Sequence, residues 1–137
     1  MKISAVGDFI AQKRVRKDEG FEQIKAWMST SDAKFANLET TIHNGDVNAA
    51  SQCGGSYLYA PPKVLEDMAD YGFNLTSFAN NHCFDFAATG FLETLKNVKA
   101  SSLVSAGCGY SLKEASEPAY LETKSGKVGF IACAANF

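Results

Sequence analysis

The chain has 137 residues, of which 46% are hydrophobic, and its formal net charge is -2. This length and composition suit one globular domain. The weak net charge leaves no basic footprint for nucleic acid or an anionic membrane surface, so we expect neither as a partner. No stretch approaches the roughly 20 apolar residues of a membrane span. Met1 and Lys2 lead directly into an apolar segment, which predicts no signal peptide and a cytoplasmic location.

The cysteines and the basic residues carry little functional information. The four cysteines are widely spaced and form no Cys-x-x-Cys pair, which excludes a zinc-finger pattern and predicts reduced thiols: Cys53, Cys83, Cys108 and Cys133. One basic cluster spans residues 13–17 and is followed at once by Asp18 and Glu19. We interpret it as a solvated loop face; the alternative is a phosphate-steering patch beside Asp8.

The first third of the chain predicts a strand, a helix and a second strand. The strand covers 2–6 and stops at Gly7-Asp8, and the helix covers 18–29 with Asp18 as its cap. The second strand covers 34–38 and stops at Glu39. Residues 40–56 then predict a long loop, and loops of this length are usually functional or mobile.

The rest of the chain continues the alternation of helices and strands. We predict helices at 62–71, 87–99 and 112–116, strands at 73–79 and 102–106, and a hairpin of 119–123 with 127–133. Such alternation is typical of an α/β fold with a mostly parallel sheet flanked by helices. The C-terminal β-hairpin is the antiparallel exception.

The most informative segment is the polar cluster at 80–85, which follows the predicted strand 73–79. Open α/β sheets bind their ligands at the carboxyl ends of strands, where this cluster lies. An amide oxygen of Asn81 and a ring nitrogen of His82 are suitable metal ligands or transition-state donors. Asp85 could orient His82 or cap the next helix. For Asn80 a turn-forming amide is the favoured interpretation.

Two further strand ends carry acids that could meet this cluster. Asp8 follows the first predicted strand and Glu39 the second. Since the carboxyl ends of parallel strands share one edge of a sheet, we expect Asp8, Glu39 and His82 to converge. Hard oxygen ligands beside an imidazole suit a divalent metal such as Mn²⁺, Mg²⁺ or Zn²⁺.

Other polar and aromatic residues receive simpler interpretations. His43 is predicted to be a loop histidine, with a substrate contact as the weaker alternative. Trp27, Tyr57 and Tyr59 are interpreted as packing groups rather than platforms for sugars.

Six short segments follow one another along the whole chain: Gly7-Asp8, Asn37-Leu38-Glu39, Ala60-Pro61-Pro62, Ala79-Asn80-Asn81-His82 with Asp85, Ala106-Gly107-Cys108-Gly109, and the Gly-Lys-Val-Gly-Phe strand at 126–130. In this order they resemble the CapA family of bacterial capsule-synthesis and poly-γ-glutamate biosynthesis proteins, in the calcineurin-like metallophosphoesterase superfamily. No single segment is specific, but six in this order make a strong match.

The resemblance implies a fold and a site. Residues 1–137 would be the N-terminal part of the family domain, truncated to about half of a metallophosphoesterase-like α/β sandwich with a dinuclear centre. Asp8, Glu39 and Asn81 would be metal ligands, with Glu39 in the bridging position. His82 would stabilise the transition state or protonate the leaving group, and Asp85 would orient it. The metal could be Mn, Zn, Mg or Fe, and the remaining ligands would lie in the second half of the family domain.

The functional expectation follows from the resemblance. A complete domain would be a divalent-metal hydrolase of the phosphoesterase type linked to capsule or poly-γ-glutamate synthesis. A polyanionic polymer or a small phosphoester would be its substrate, and a homo-oligomer is expected from apolar surface left uncovered. The alternatives are a non-catalytic binding or assembly module for such a polymer or a synthase partner, and a fragment without activity.

Overall fold

The computed structural model describes residues 1–53 and 55–135. Its elements alternate along the chain in the order β1 (Ile3–Phe9), α1 (Glu19–Met28), β2 (Ala33–Leu38), β3 (Thr41–Ile42), β4 (Tyr59–Ala60), α2 (Val64–Tyr71), β5 (Leu75–Ser77), α3 (Ala87–Ala100), β6 (Val104–Ala106), α4 (Leu112–Ser116), β7 (Ala119–Thr123) and β8 (Gly126–Phe130). No helix within the described ranges is long and apolar enough to cross a membrane.

Four parallel strands form the central sheet. Their order is β1-β2-β5-β6, and each neighbouring pair is parallel. The strands β7 and β8 form an antiparallel hairpin. The prediction of an α/β fold with a mostly parallel sheet, flanking helices and a C-terminal hairpin is therefore confirmed. Because β1, β2 and β5 are adjacent, the residues at their carboxyl ends are neighbours in space.

The core lies between the sheet and the helices. Ala36 and Leu38 of β2 share one buried cluster with side chains from α1, α2 and α3, among them Met28, Val64, Met68 and Val98. Phe35, on the opposite face of the same strand, packs on Phe130 of β8, with ring centroids 5.3 Å apart. Since successive strand residues alternate between faces, the helices cover one face of β2 and the hairpin covers the other.

Local signals explain where two helices begin and end. The Asp18 carboxylate accepts from the backbone N–H of Phe21 and caps α1. Helix α2 ends at Gly72, whose φ of 100° is a left-handed conformation that favours glycine. Helix α3 has Phe86 as its N-cap and no side-chain cap.

Several boundaries differ from the sequence predictions. Strand β1 continues to Phe9, with an irregular register between Ala5 and Asp8, so Asp8 lies inside the strand and not after it. The predicted loop 40–56 contains β3, which pairs in parallel with β4. Strand β5 is shorter than predicted, and strand β8 ends at Phe130.

Arg14 and Lys17 hold the segment after β1 against helix α2 through ion pairs. Arg14 donates to both carboxylate oxygens of Asp67 at 2.7 and 2.8 Å, and the backbone N–H of Val15 adds a third bond at 3.0 Å. Lys17 pairs with Asp70. Two cations of the basic cluster are thus engaged within the fold, although both stay half exposed.

Candidate functional site

Asp8 and Glu39 meet at the side chain of Asn37. Asp8 of β1 stands opposite Asn37 of β2 in the parallel register. The Nδ2 group of Asn37 donates to Asp8 Oδ1 at 2.8 Å and to Glu39 Oε2 at 3.1 Å. The Asn37 amide therefore binds one oxygen of each carboxylate, and the second oxygen of each makes no bond to Asn37.

His82 lies between two carboxylates. It follows β5 and is only 8% exposed. Its Nδ1 is 2.8 Å from Asp85 Oδ2, and its Nε2 is 3.7 Å from Glu39 Oε1. The structure thus brings Asp8, Glu39, His82 and Asp85 into one continuous set of contacts at the carboxyl ends of β1, β2 and β5.

Asp85 is oriented toward His82 and does not cap helix α3. Its side chain is fully buried, and Oδ2 also accepts from the backbone N–H of Leu58 at 2.8 Å. The cap position belongs to Phe86 and has no side-chain bond. The second oxygen, Asp85 Oδ1, is buried and has no hydrogen-bond partner among the residues that the structure describes. A buried carboxylate with one free oxygen keeps acceptor capacity within the site.

The two asparagines before His82 have different environments. Asn80 Oδ1 accepts from the backbone N–H of His82 at 3.0 Å, which confirms the predicted turn-forming amide. Its Nδ2 donates to Leu38 O at 2.8 Å and to Asn37 Oδ1 at 3.1 Å. Asn81 is exposed at the rim of the same loop.

The carboxylates of Asp8 and Glu39 have opposite pKa perturbations. The hydrogen bond from Asn37 lowers the pKa of Asp8, and a bond with Glu39 acts in the same direction. Burial raises the pKa of Glu39, and the neighbouring Asp8 raises it further. Two acids at close range cannot both ionise easily. Asp8 therefore carries the negative charge more readily, and Glu39 resists ionisation unless a positive charge arrives.

Asn37 is the one site residue that the sequence interpretation did not assign. The spacing in the sequence could have indicated it, because Asn37 lies two positions before Glu39 and therefore on the same side of an extended chain. Asparagine is also depleted in strands. Its pairing with Asp8 depends on the register of β1 against β2, which no local pattern gives.

His43 lies directly after β3, in the predicted loop, and its side chain is buried. It is 1% exposed, stacks on Tyr59 with ring centroids 5.0 Å apart, and contacts Phe86 edge-on. Its Nδ1 accepts from the backbone N–H of Gly45. Burial lowers the pKa of His43, which favours the neutral ring. Tyr59 is thus a packing group, as predicted.

The sheet edge presents two carboxylates to any cation that binds there. Asp8 and Glu39 converge on one point, and each keeps an oxygen that Asn37 does not use. Such hard oxygen donors suit divalent cations. Within the described ranges, no three acidic, imidazole or thiol side chains converge closely enough to hold an ion by themselves. Amide oxygens, water or further residues would have to complete the coordination.

The sequence has recognisable relatives. Residues 2–137 match the family model described as bacterial capsule synthesis protein PGA_cap. The uncharacterized protein y4sH of Sinorhizobium fredii is 34% identical over 140 residues, which cover 97% of this chain and 30% of that protein. The capsule biosynthesis protein CapA of Bacillus anthracis is 23% identical, over 88% of this chain and 31% of that protein.

A further relative is the PGA biosynthesis protein CapA of Bacillus subtilis. It is 25% identical over 122 residues, which cover 84% of this chain and 32% of that protein. The chain thus spans about a third of the length of the curated relatives that it matches.

Proposed function

The chain belongs to the family of bacterial capsule synthesis proteins, and we propose that it carries part of the site of a divalent-metal hydrolase that acts in capsule or poly-γ-glutamate synthesis. Two relatives named for capsule or PGA biosynthesis support the biological setting. The proposed substrates are a polyanionic polymer or a small phosphoester. Their class follows from the family resemblance, and the site residues supply the chemistry.

One observation carries the proposal. Asp8, Glu39 and His82 come from the ends of three adjacent parallel strands and form a continuous set of contacts. The carboxyl ends of such strands are where α/β folds place their ligands. The side chains of Glu39 and His82 are largely buried, at 14% and 10% exposure. Buried titratable groups gathered at a strand edge are candidates for catalysis.

The proposed metal ligands in this chain are Asp8, Glu39 and Asn81. A bound divalent metal would polarise the oxygen of the scissile group and lower the pKa of a coordinated water. The negative charges of Asp8 and Glu39 offset the cost of bringing cations to this edge. Because a nearby cation favours the ionised acid, metal binding would also favour deprotonated Glu39 despite its burial.

His82 and Asp85 are proposed to handle the proton. Asp85 Oδ2 accepts from His82 Nδ1 at 2.8 Å, which fixes the ring and leaves Nε2 directed toward Glu39. When both ring nitrogens carry protons, Nε2 can donate to a leaving-group oxygen. When Nε2 is bare, it can accept a proton from water. General acid–base catalysis of this kind contributes about 10²–10⁴-fold.

The test combines metal binding with turnover in the full-length protein. Mn²⁺ binding is measured by calorimetry, and hydrolysis is followed with bis-p-nitrophenyl phosphate and a γ-glutamyl anilide. We expect His82→Ala to lower kcat by about 10²–10⁴-fold while Mn²⁺ still binds. His43→Gln is the matched control, because His43 is the other histidine and lies in the aromatic cluster. Circular dichroism checks that both variants fold.

Two outcomes would contradict the proposal. Absence of Mn²⁺ binding and of both hydrolytic activities in the wild type would refute the proposed function. If His82→Ala turns over as fast as the wild type, His82 has no part in the chemistry.

A further inference from the structure

We propose that Asn37 is the positioning residue of this site: its side-chain amide sets the spacing and orientation of Asp8 and Glu39 for a shared divalent cation. The inference rests on the proposed function, since it names a residue that prepares the same metal ligands. Its basis is a chain of hydrogen bonds that starts from two backbone groups of fixed polarity.

The backbone fixes the orientation of Asn80 first. The N–H of His82 can only donate, so the Asn80 atom facing it is the oxygen, at 3.0 Å. The carbonyl of Leu38 can only accept, so the Asn80 atom facing it is the nitrogen, at 2.8 Å. The two ends of the Asn80 amide are thus assigned by groups that cannot reverse their roles.

Asn80 then fixes the orientation of Asn37. The second hydrogen of Asn80 Nδ2 points to Asn37 at 3.1 Å, and only an oxygen can accept it. The nitrogen of Asn37 must therefore face the opposite way, toward the carboxylates. Its two hydrogens go to Asp8 Oδ1 and Glu39 Oε2, one to each. Every hydrogen of both amides has an acceptor.

The Asn37 amide reduces the repulsion between Asp8 and Glu39. When Asp8 and Glu39 are both ionised they repel each other, and the repulsion would turn the exposed Asp8 away into solvent. An amide that donates to both supplies partial positive charge between them and stabilises one geometry before a cation binds. Residues that hold metal ligands in place from outside the coordination sphere typically affect affinity by about 10–100-fold.

A purely structural role fits poorly. Position 37 lies in a strand, where asparagine is depleted and β-branched residues are favoured. At the opposite end of the same strands, Asn74 links β5 to β2 through the backbone of Lys34 and Asp32. Asn74 bonds only backbone groups there, whereas Asn37 bonds two acidic side chains. Asn74 is therefore a matched control.

The test uses Asn37→Leu, Asn80→Asp and the control Asn74→Asp in the full chain. Asn37→Leu removes both donated bonds at similar volume. Asn80→Asp keeps the acceptor for His82 but removes the donor that orients Asn37. We expect each to weaken Mn²⁺ binding by about 10–100-fold in calorimetry, while Asn74→Asp changes the affinity less than about threefold. The double variant Asn37→Leu/Asn80→Asp should be no worse than Asn37→Leu alone, because the two residues act through one path.

A second readout needs no metal. In the metal-free wild type, the side-chain NH₂ protons of Asn37 should exchange with solvent more slowly than those of the exposed Asn44, and Asn80→Asp should abolish that protection. Unprotected Asn37 protons, or Mn²⁺ affinity unchanged in Asn37→Leu, would overturn the inference. If the protons are protected but the wild type binds no Mn²⁺, Asn37 still positions Asp8 and Glu39, and the proposed metal function is refuted.

Discussion

The ion pair of Arg14 with Asp67 offers a sharp test of how the segment after β1 is held. We consider Arg14→Met, which keeps most of the aliphatic side chain and removes the guanidinium. Asp67 would remain buried, with a side chain 1% exposed, and would keep only the bond from the backbone N–H of Val15. A buried carboxylate that loses its partner is destabilising because its desolvation is no longer offset.

The expected loss in the free energy of unfolding follows from the bonds that Arg14 makes. Two charge-assisted bonds at 2.7 and 2.8 Å are lost, and each such bond contributes about 1.5–3 kcal/mol. The Arg14 side chain is 43% exposed, so solvent screens its interaction with Asp67, and the free energy lost on substitution is smaller than the sum of the two bonds. We therefore expect Arg14→Met to lower the free energy of unfolding by about 2–3 kcal/mol at pH 7.

The assay is urea unfolding at several pH values, with Lys17→Met as the control. Lys17 pairs with Asp70, which lies on the same helix as Asp67. Both side chains are more than 40% exposed, so Lys17→Met should lower the free energy of unfolding much less than Arg14→Met does. Burial raises the pKa of Asp67, but the bonds from Arg14 and Val15 outweigh it and hold the pKa below its usual value. The stabilisation is thus present at neutral pH and lost as the pH falls below about 4.

The refuting results are specific. Equal losses for Arg14→Met and Lys17→Met would show that burial of Asp67 does not matter. A gap between wild type and Arg14→Met that widens below pH 4 would contradict the direction of the Asp67 perturbation. Arg14→Met/Asp67→Asn should recover part of the loss, since it removes the buried charge as well as its partner.

Three further predictions concern other buried contacts. Thr94→Val should lower the free energy of unfolding by about 1–3 kcal/mol, because Thr94 Oγ1 accepts from the buried N–H of Ile42 at 2.7 Å; urea unfolding measures this, and a neutral result would contradict it. Gly90→Ala should destabilise helix α3 despite the higher helix propensity of alanine, since the new Cβ would lie 2.4 Å from Phe86 Cβ; a higher melting temperature would contradict this. Burial raises the pKa of Cys108 to about 12, so a fraction of about 10⁻⁴ of this thiol is thiolate at pH 8. A disulfide reagent should therefore modify the exposed Cys133 first. Rapid labelling of Cys108 in the Cys133→Ser variant would contradict this prediction.

Much of the fold could be predicted because local and periodic signals agree with it. Helix α1 has its cap and its apolar spacing within a few residues, and the apolar pattern of β2 marks it as a buried strand. Helix α4 lies at the predicted residues. The alternation of such elements leaves few topologies, and the parallel sheet is the common one.

The remaining features depend on register and distant contacts. The position of Asp8 inside β1 results from an irregular pairing with β2, and the burial of His43 results from packing on Tyr59 and Phe86. Neither has a local pattern. The sequence located Asp8, Glu39 and His82 at strand ends, but the amide between the two acids appears only when the strands are aligned. The functional roles of these residues stay predictions.

Asp85 joins two parts of the molecule that are distant in sequence. Its carboxylate binds both His82 and the backbone of Leu58, and its carbonyl oxygen accepts from the backbone N–H of Ala50 at 2.8 Å. The connection between β3 and β4 is thereby linked to the imidazole through a single residue. A longer or shorter connection in a homologue would therefore change the orientation of the histidine ring without any substitution at His82 or Asp85.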